Sequence, residues 1–177
     1  MKKVRIGSVG LGRLGLAHTE NIANRIRNAE LAAICDVDQK KLTETADRLG
    51  VANRYTSFEE IIAQKDLDAI VLVSPSGLHT KQISAALDAG KHIFSEKPLG
   101  VTIAECKNAE KAVESHPEKV FMLGFMRRFD ESYQYAYNKI SSGEIGKVIL
   151  FRAYSQDPEK FIESSIAFSA HSGGSVS

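Results

Sequence analysis

Short continuous apolar runs alternate along the chain with longer stretches in which apolar positions recur every three or four residues. The first run, VRIGSV (Val4–Val9), leads through glycines into a helical pattern reaching about Arg27. A second run, LAAICDVD (Leu31–Asp38), precedes QKKLTETADRLG, where Leu42, Ala46 and Leu49 fall at helical spacing and Gly50 supplies a stop. SFEE at Ser57–Glu60 has the capping-box pattern and predicts a short helix from Phe58. AIVLV (Ala69–Val73) is uncharged, β-branched and bounded by Asp68 and Ser74-Pro75, as expected of a strand covered on both faces. A helix from about Leu78 to Ala89 stops at Gly90, and HIFSE (His92–Glu96) is the next strand. TIAE at Thr102–Glu105 offers another capping box, for a helix to about Ser115, and KVFMLGF (Lys119–Phe125) is the last strand of the series.

In this count AIVLV is the fourth strand, HIFSE the fifth and KVFMLGF the sixth. Six strands with crossover helices predict an α/β fold, a doubly wound parallel sheet of about 125 residues. The boundary falls at residues 1–123 and 124–177, because the character changes at Gly124. An aromatic-rich helix in MRRFDESYQYAYNKISSGEIGK follows, then VILFRAYS (Val148–Ser155), which reads as a long strand, then a polar, small-residue stretch.

Composition narrows the class. The 177 residues are 43% hydrophobic and 25% charged, with a formal net charge of +1. That balance fits a soluble globular protein and gives no electrostatic footprint for nucleic acid or an anionic membrane surface. No uncharged run approaches the roughly 20 residues of a membrane helix. The opening MKKVRIGSVG is too interrupted for a signal peptide. Cys35 and Cys106 stand far apart in apolar contexts, so reduced core thiols in a cytoplasmic protein are expected, with no metal site.

Two stretches carry candidate chemistry. VGLGRLG places Gly10, Gly12 and Gly15 in the G-x-G-x-x-G spacing, with Leu11, Arg13 and Leu14 between them, at the junction of the first strand and first helix. In a dinucleotide site these glycines allow the tight turn, the approach of a pyrophosphate and close helix–strand packing, and the helix start faces the phosphates. Asp36 ends the second strand where an acid binds ribose hydroxyls, which favours NAD over NADP, although Lys40 and Lys41 are near enough to swing back. An ordinary glycine turn is the alternative. The second stretch is HIFSEKPLG, where Lys97 follows the fifth strand at the edge where such sheets bind ligands. A partly buried ammonium there would polarise a substrate hydroxyl and help move its proton. Alternatively the stem packs on the loop and the charge reaches solvent, and spacing alone does not choose. Pro98 stiffens the following backbone and is a candidate for a cis peptide.

GLGRLGLAHTENI, CDVD, SPSGLH, EKPLG and GFMRRFDESY, in this order, resemble the Gfo/Idh/MocA oxidoreductases, most of all their inositol dehydrogenase branch. The resemblance implies a Rossmann domain followed by an α/β domain on a large open sheet that mediates homo-oligomers. It also implies NAD(P)-linked oxidation or reduction of a small polyol or sugar. It makes Lys97 the catalytic residue, in contact with both cofactor and substrate, and assigns the turn Gly10, Leu11, Gly12, Arg13, Leu14 and Gly15, with Asp36, to the cofactor. Ser74, Pro75 and His79 match the loop bordering the cofactor, though His79 otherwise reads as a helix-start residue. Glu96 is expected to hold the loop on the cofactor side. Arg127 matches an arginine near cofactor and substrate, its alternative being a surface charge beside Arg128. Gln156 and Asp157 are candidates to face the substrate, against the commoner meaning of a solvated turn before Pro158.

The resemblance also breaks. The family's catalytic Asp and His lie just after a Gly-Gly stretch like Ser172–Ser175, and the sequence stops at Ser177 before either; His171 sits too early, and His18 and His116 lie in helical contexts. Loss of such an acid–base partner typically removes about 10²–10⁴-fold in rate. The expectation is a chain that binds NAD with impaired turnover. The alternative is a non-catalytic NAD-binding or sugar-sensing regulatory protein of the same fold.

Overall fold

Five of the continuous apolar runs become strands of one sheet in the computed structural model, which describes residues 2–154 together with Gln156 and Ile166. The strands are β1 (Val4–Val9), β2 (Ala29–Cys35), β3 (Asn53–Tyr55), β4 (Ala69–Leu72), β5 (His92–Ser95) and β6 (Phe121–Leu123). They hydrogen-bond in the order β3-β2-β1-β4-β5-β6, every pair parallel. This is the Rossmann order, with the direction of winding reversing between β1 and β4. The helices are α1 (Arg13–Asn24), α2 (Gln39–Leu49), α3 (Phe58–Ile62), α4 (His79–Asp88), α5 (Ile103–Glu114) and α6 (Glu131–Ser141).

Parallel pairing requires crossovers, and the crossovers cover both faces of the sheet. The alternation of side chains along β4 shows this. Ile70 and Leu72 join a buried cluster with Ile61 of α3, Ile83 and Leu87 of α4 and Ala109 of α5. Val71, between them, packs on the opposite face with Ile22 of α1. Fully burying such a side chain contributes about 1.5–3 kcal/mol. A third cluster joins Leu11 and Ile34 to Leu42 and Ala46 of α2.

Several expected boundaries shift. The third strand is the polar tripeptide Asn53–Tyr55, held by pairing to β2. KVFMLGF contributes only Phe121–Leu123 to the ladder. α4 is preceded by a 3₁₀ turn at Ser76–Leu78, and α1 ends at Asn24 rather than near Arg27. The strand expected over Val148–Ser155 is not formed among its described residues. An extended segment is a strand only when a neighbour pairs with it, and Ile149 is 93% exposed. α6 does form, with its first turn capped by the Asp130 carboxylate, but it buries none of its residues.

Cys35 and Cys106 are unpaired. Burial, with the Asp36 charge adding to it, pushes the Cys35 thiol up to about 12, so it behaves as an inert core group. Among the described residues no helix is long and apolar enough to cross a membrane, and no group of acidic, His or Cys side chains is arranged to hold a metal ion.

Candidate functional site

Because all six strands run parallel, the residues that follow β1, β2, β4 and β5 emerge at one edge of the sheet. Gly10 follows β1 with φ +89°, and a Cβ there would sit 2.5 Å from the Val73 carbonyl oxygen. Gly15 lies against this turn so closely that a Cβ would fall 1.9 Å from the Gly10 carbonyl oxygen. Gly12 differs from both, since a Cβ there would meet nothing within 4 Å. Gly12 is also the N-cap of α1, with no side chain capping it and no acid in the first turn. Its neighbours Arg13 and Leu14 are exposed, and Leu11 is fully buried. The result is an open helix start with no side-chain cap, and the start of a helix is where backbone N–H donors suit a diphosphate.

Asp36, directly after β2, is tied to this turn. Its Oδ2 accepts from the Leu11 N–H at 2.6 Å and its Oδ1 from the Asp38 N–H at 2.9 Å. A carboxylate has about four lone-pair directions, so two remain for a diol. Asp38 turns the other way and caps α2 through the Lys41 N–H at 3.1 Å. Lys40 and Lys41 stand 4.0 and 3.8 Å from Glu44 and Asp38 in exposed pairs. Val37, beside Asp36, is 89% exposed, an apolar side chain at the rim that the sequence reading did not single out.

Beyond β4, Pro75 is exposed and Ser74 is half-buried with its hydroxyl donating to the Gln82 side-chain oxygen. His79 is buried, with Nδ1 2.7 Å from the Pro98 carbonyl oxygen and Nε2 2.8 Å from the Ser74 carbonyl oxygen. Beyond β5, the Lys97–Pro98 peptide is cis. Glu96 is largely covered, and its Oε1 lies 2.9 Å from His18 Nε2. The His18 ring in turn packs against Phe94 with centroids 5.2 Å apart. Sequence reading set His18 aside as a helical histidine. The available signal was its position three residues after Gly15, on the helix face that meets the sheet.

Lys97 itself is exposed, where a partly buried ammonium was expected. The apolar run ends at Ser95, and Lys97 lies past the sheet edge with the side chain clear of the described core. Arg127 lies in a 3₁₀ turn, Met126–Phe129, paired with Asp130 at 3.2 Å and stacked 5.1 Å over the Tyr133 ring. Gln156 is exposed, and Asp157, His171 and Ser172–Ser175 lie outside the described residues.

A family profile described as the Gfo/Idh/MocA oxidoreductase family, NAD-binding Rossmann fold, matches residues 4–125. The chain is 34% identical over 176 residues to scyllo-inositol 2-dehydrogenase (NAD(+)) of Bacillus subtilis, covering 97% of this chain and 49% of that protein. It is 32% identical over 148 residues to inositol 2-dehydrogenase of Salmonella typhimurium, covering 83% and 44% respectively. Its fold matches a crystal structure of scyllo-inositol dehydrogenase from Lactobacillus casei with bound NAD(H) and scyllo-inositol, at TM-score 0.90 and 43% identity over 95% of this chain and 49% of that one. It also matches myo-inositol 2-dehydrogenase from Lactobacillus plantarum, at TM-score 0.92 and 39% identity over 98% and 52%. The chain thus spans about half the length of the curated relatives it matches.

Proposed function

This chain belongs to the Gfo/Idh/MocA oxidoreductase family, and we propose that it binds NAD at the edge just described and serves hydride exchange with a hydroxyl of a cyclitol or sugar. The observation that carries the reading is the convergence of an uncapped helix start at Gly12, the Asp36 carboxylate and the Lys97 loop on one edge of the sheet. The residues present fit the dinucleotide. Gly12 leaves room for a diphosphate against the backbone, Asp36 keeps lone pairs for the ribose diol, and the exposed Val37 offers an apolar wall for the purine. A carboxylate at the ribose repels a 2′-phosphate, which favours NAD over NADP.

A bound nicotinamide supplies the hydride acceptor or donor. Lys97 would supply the polar half of the chemistry, its ammonium donating a hydrogen bond to the substrate oxygen and stabilising the negative charge there while the hydroxyl proton passes to solvent water at this exposed edge. Glu96 holds the loop from behind, through His18. Ser74 and Pro75 border the nicotinamide side. Arg127, Gln156 and Asp157 are proposed to face the substrate, and residues 124–177 to begin the substrate domain, whose sheet would join copies of the protein.

The test is a fluorescence titration of the chain with NADH. A saturable enhancement is expected, weakened about tenfold or more by Asp36→Ala, which removes charge-assisted hydrogen bonds. NADPH should bind more weakly than NADH. Lys97→Ala should leave NADH affinity within about threefold, since its role is toward the substrate oxygen. A flat titration, or equal affinity for the two nucleotides, would overturn the cofactor assignment.

A further inference from the structure

We propose that Gly124 is a positioning residue for Lys97: by carrying no side chain it leaves the space in which the Glu96 carboxylate closes on the Lys97 backbone. This rests on the reading of Lys97 as the catalytic group. Gly124 directly follows β6, and its N–H donates to the Ser95 carbonyl at 2.8 Å, one hydrogen bond beyond the last residue of the strand. The positive φ values of this chain belong to Gly10, Gly50, Gly90, Gly143 and Gly146, and Gly124 is not one of them. Backbone freedom is therefore not what a glycine supplies here. Space is. A Cβ at Gly124 would lie 2.9 Å from Phe94 Cζ, 3.1 Å from Glu96 Oε1 and 3.2 Å from Glu96 Cδ.

Those atoms belong to the group that flanks the Lys97 loop. Phe94 packs against the buried cluster of Ile22, Ala29 and Val71, and its ring lies 5.2 Å from that of His18. A ring packed on both sides has little room to retreat. Glu96 is the flexible member, and hydrogen bonds hold it. Its Oε1 lies 2.9 Å from His18 Nε2, and its Oε2 accepts from the Lys97 N–H at 3.2 Å. Its own N–H donates to the Leu72 carbonyl at 2.9 Å. An added methyl would press on a carboxylate whose oxygens are both engaged, so displacing it costs one contact or the other.

Three separate stretches of chain meet at this joint. His18 comes from α1, the helix whose start is proposed to take the diphosphate. Glu96 comes from the loop after β5, and Gly124 from the point where the chain leaves β6. The Lys97 side chain is exposed, so the place of its ammonium follows from how its backbone is held. Gly124 acts on that backbone through Glu96.

Labelling the chain with a small amine-acylating reagent, followed by peptide mass analysis, reads the placement of Lys97 without turnover. In Gly124→Ala the rate at Lys97 should change by at least about threefold relative to the other lysines. Glu96→Ala should change it in the same direction. Adding Gly124→Ala to Glu96→Ala should change it no further, because the methyl then has no carboxylate to displace. An unchanged rate in folded Gly124→Ala, or effects that multiply in the double variant, would overturn the proposal. A role in packing alone would lower the urea midpoint in both backgrounds and leave the Lys97 rate where it was. If Gly124→Ala does not fold, the other two measurements decide. The unaltered chain should show a nuclear Overhauser contact between the Gly124 Hα and Glu96 Hγ protons, and Glu96→Ala should still shift the Lys97 rate; a missing contact or an unshifted rate sinks the idea. NADH should slow labelling of Lys97 in the unaltered chain. Lack of protection overturns the reading of Lys97 and leaves the link from Gly124 through Glu96 to be judged on the rates alone.

Discussion

Gly10 shows how strictly single positions are specified at this edge. Its φ of +89° is rare for residues with a side chain, and an added Cβ would overlap the Val73 carbonyl at 2.5 and 2.7 Å from its oxygen and carbon. Those atoms are backbone in the sheet and have nowhere to go. Gly10→Ala should therefore cost about 2–4 kcal/mol, combining the disfavoured dihedral with overpacking. Urea unfolding measures it, and a loss below 1 kcal/mol would show that the turn relaxes. Positions such as Gly10 and Asp36 are legible in sequence because the dinucleotide fingerprint of a strand–helix–strand unit fixes the step from the glycines to the acid that ends the second strand. Lys97 is only half legible. Its place after β5 follows from the pattern, but its exposure and the contacts flanking it do not. His18 and His79 meet Glu96 and Pro98 across 78 and 19 residues of chain. No periodicity reports a contact of that kind.

Elements repeat the lesson. The capping box at Thr102 is present in full, with the Thr102 hydroxyl accepting from the Glu105 N–H and the Glu105 carboxylate accepting from the Thr102 N–H at 2.9 Å and the Val101 N–H at 2.8 Å. The backbone donors of Thr102 and then Val101 hold the Glu105 carboxyl below the usual carboxylate range. Thr102→Ala removes the hydroxyl acceptor and should cost about 1 kcal/mol. Chemical denaturation reads it directly, and no change would mean that α5 is held by packing alone. The Ser57 box is half made, since Ser57 accepts from Glu60 N–H while its own hydroxyl turns to Glu59. Caps of this kind were legible because they act over four residues. β3 was not, because a polar tripeptide becomes a strand only through the neighbour that pairs with it. The same dependence runs in reverse at Val148–Ser155, where a strand-like sequence finds no ladder among the described residues. A central run such as β4 is the opposite case, its side chains buried against helices on both faces and announced by composition alone.

At the scale of the molecule, the strand order decides where chemistry can occur. The reversal between β1 and β4 brings residue 10 beside residue 73, and the neighbouring strands add Asp36 and Glu96 to the same rim. That scatter along the chain has a thermodynamic corollary. No stretch of the unfolded polypeptide presents the turn, the acid and the lysine loop together, so a dinucleotide seated there must discriminate almost wholly between folded and unfolded forms. Mass action then converts occupancy into heat resistance, about 2.7 kcal/mol at a hundredfold excess over the dissociation constant. Calorimetric melts should climb steadily with NADH concentration, and a midpoint indifferent to the nucleotide would mean that the assembled rim is not where it docks.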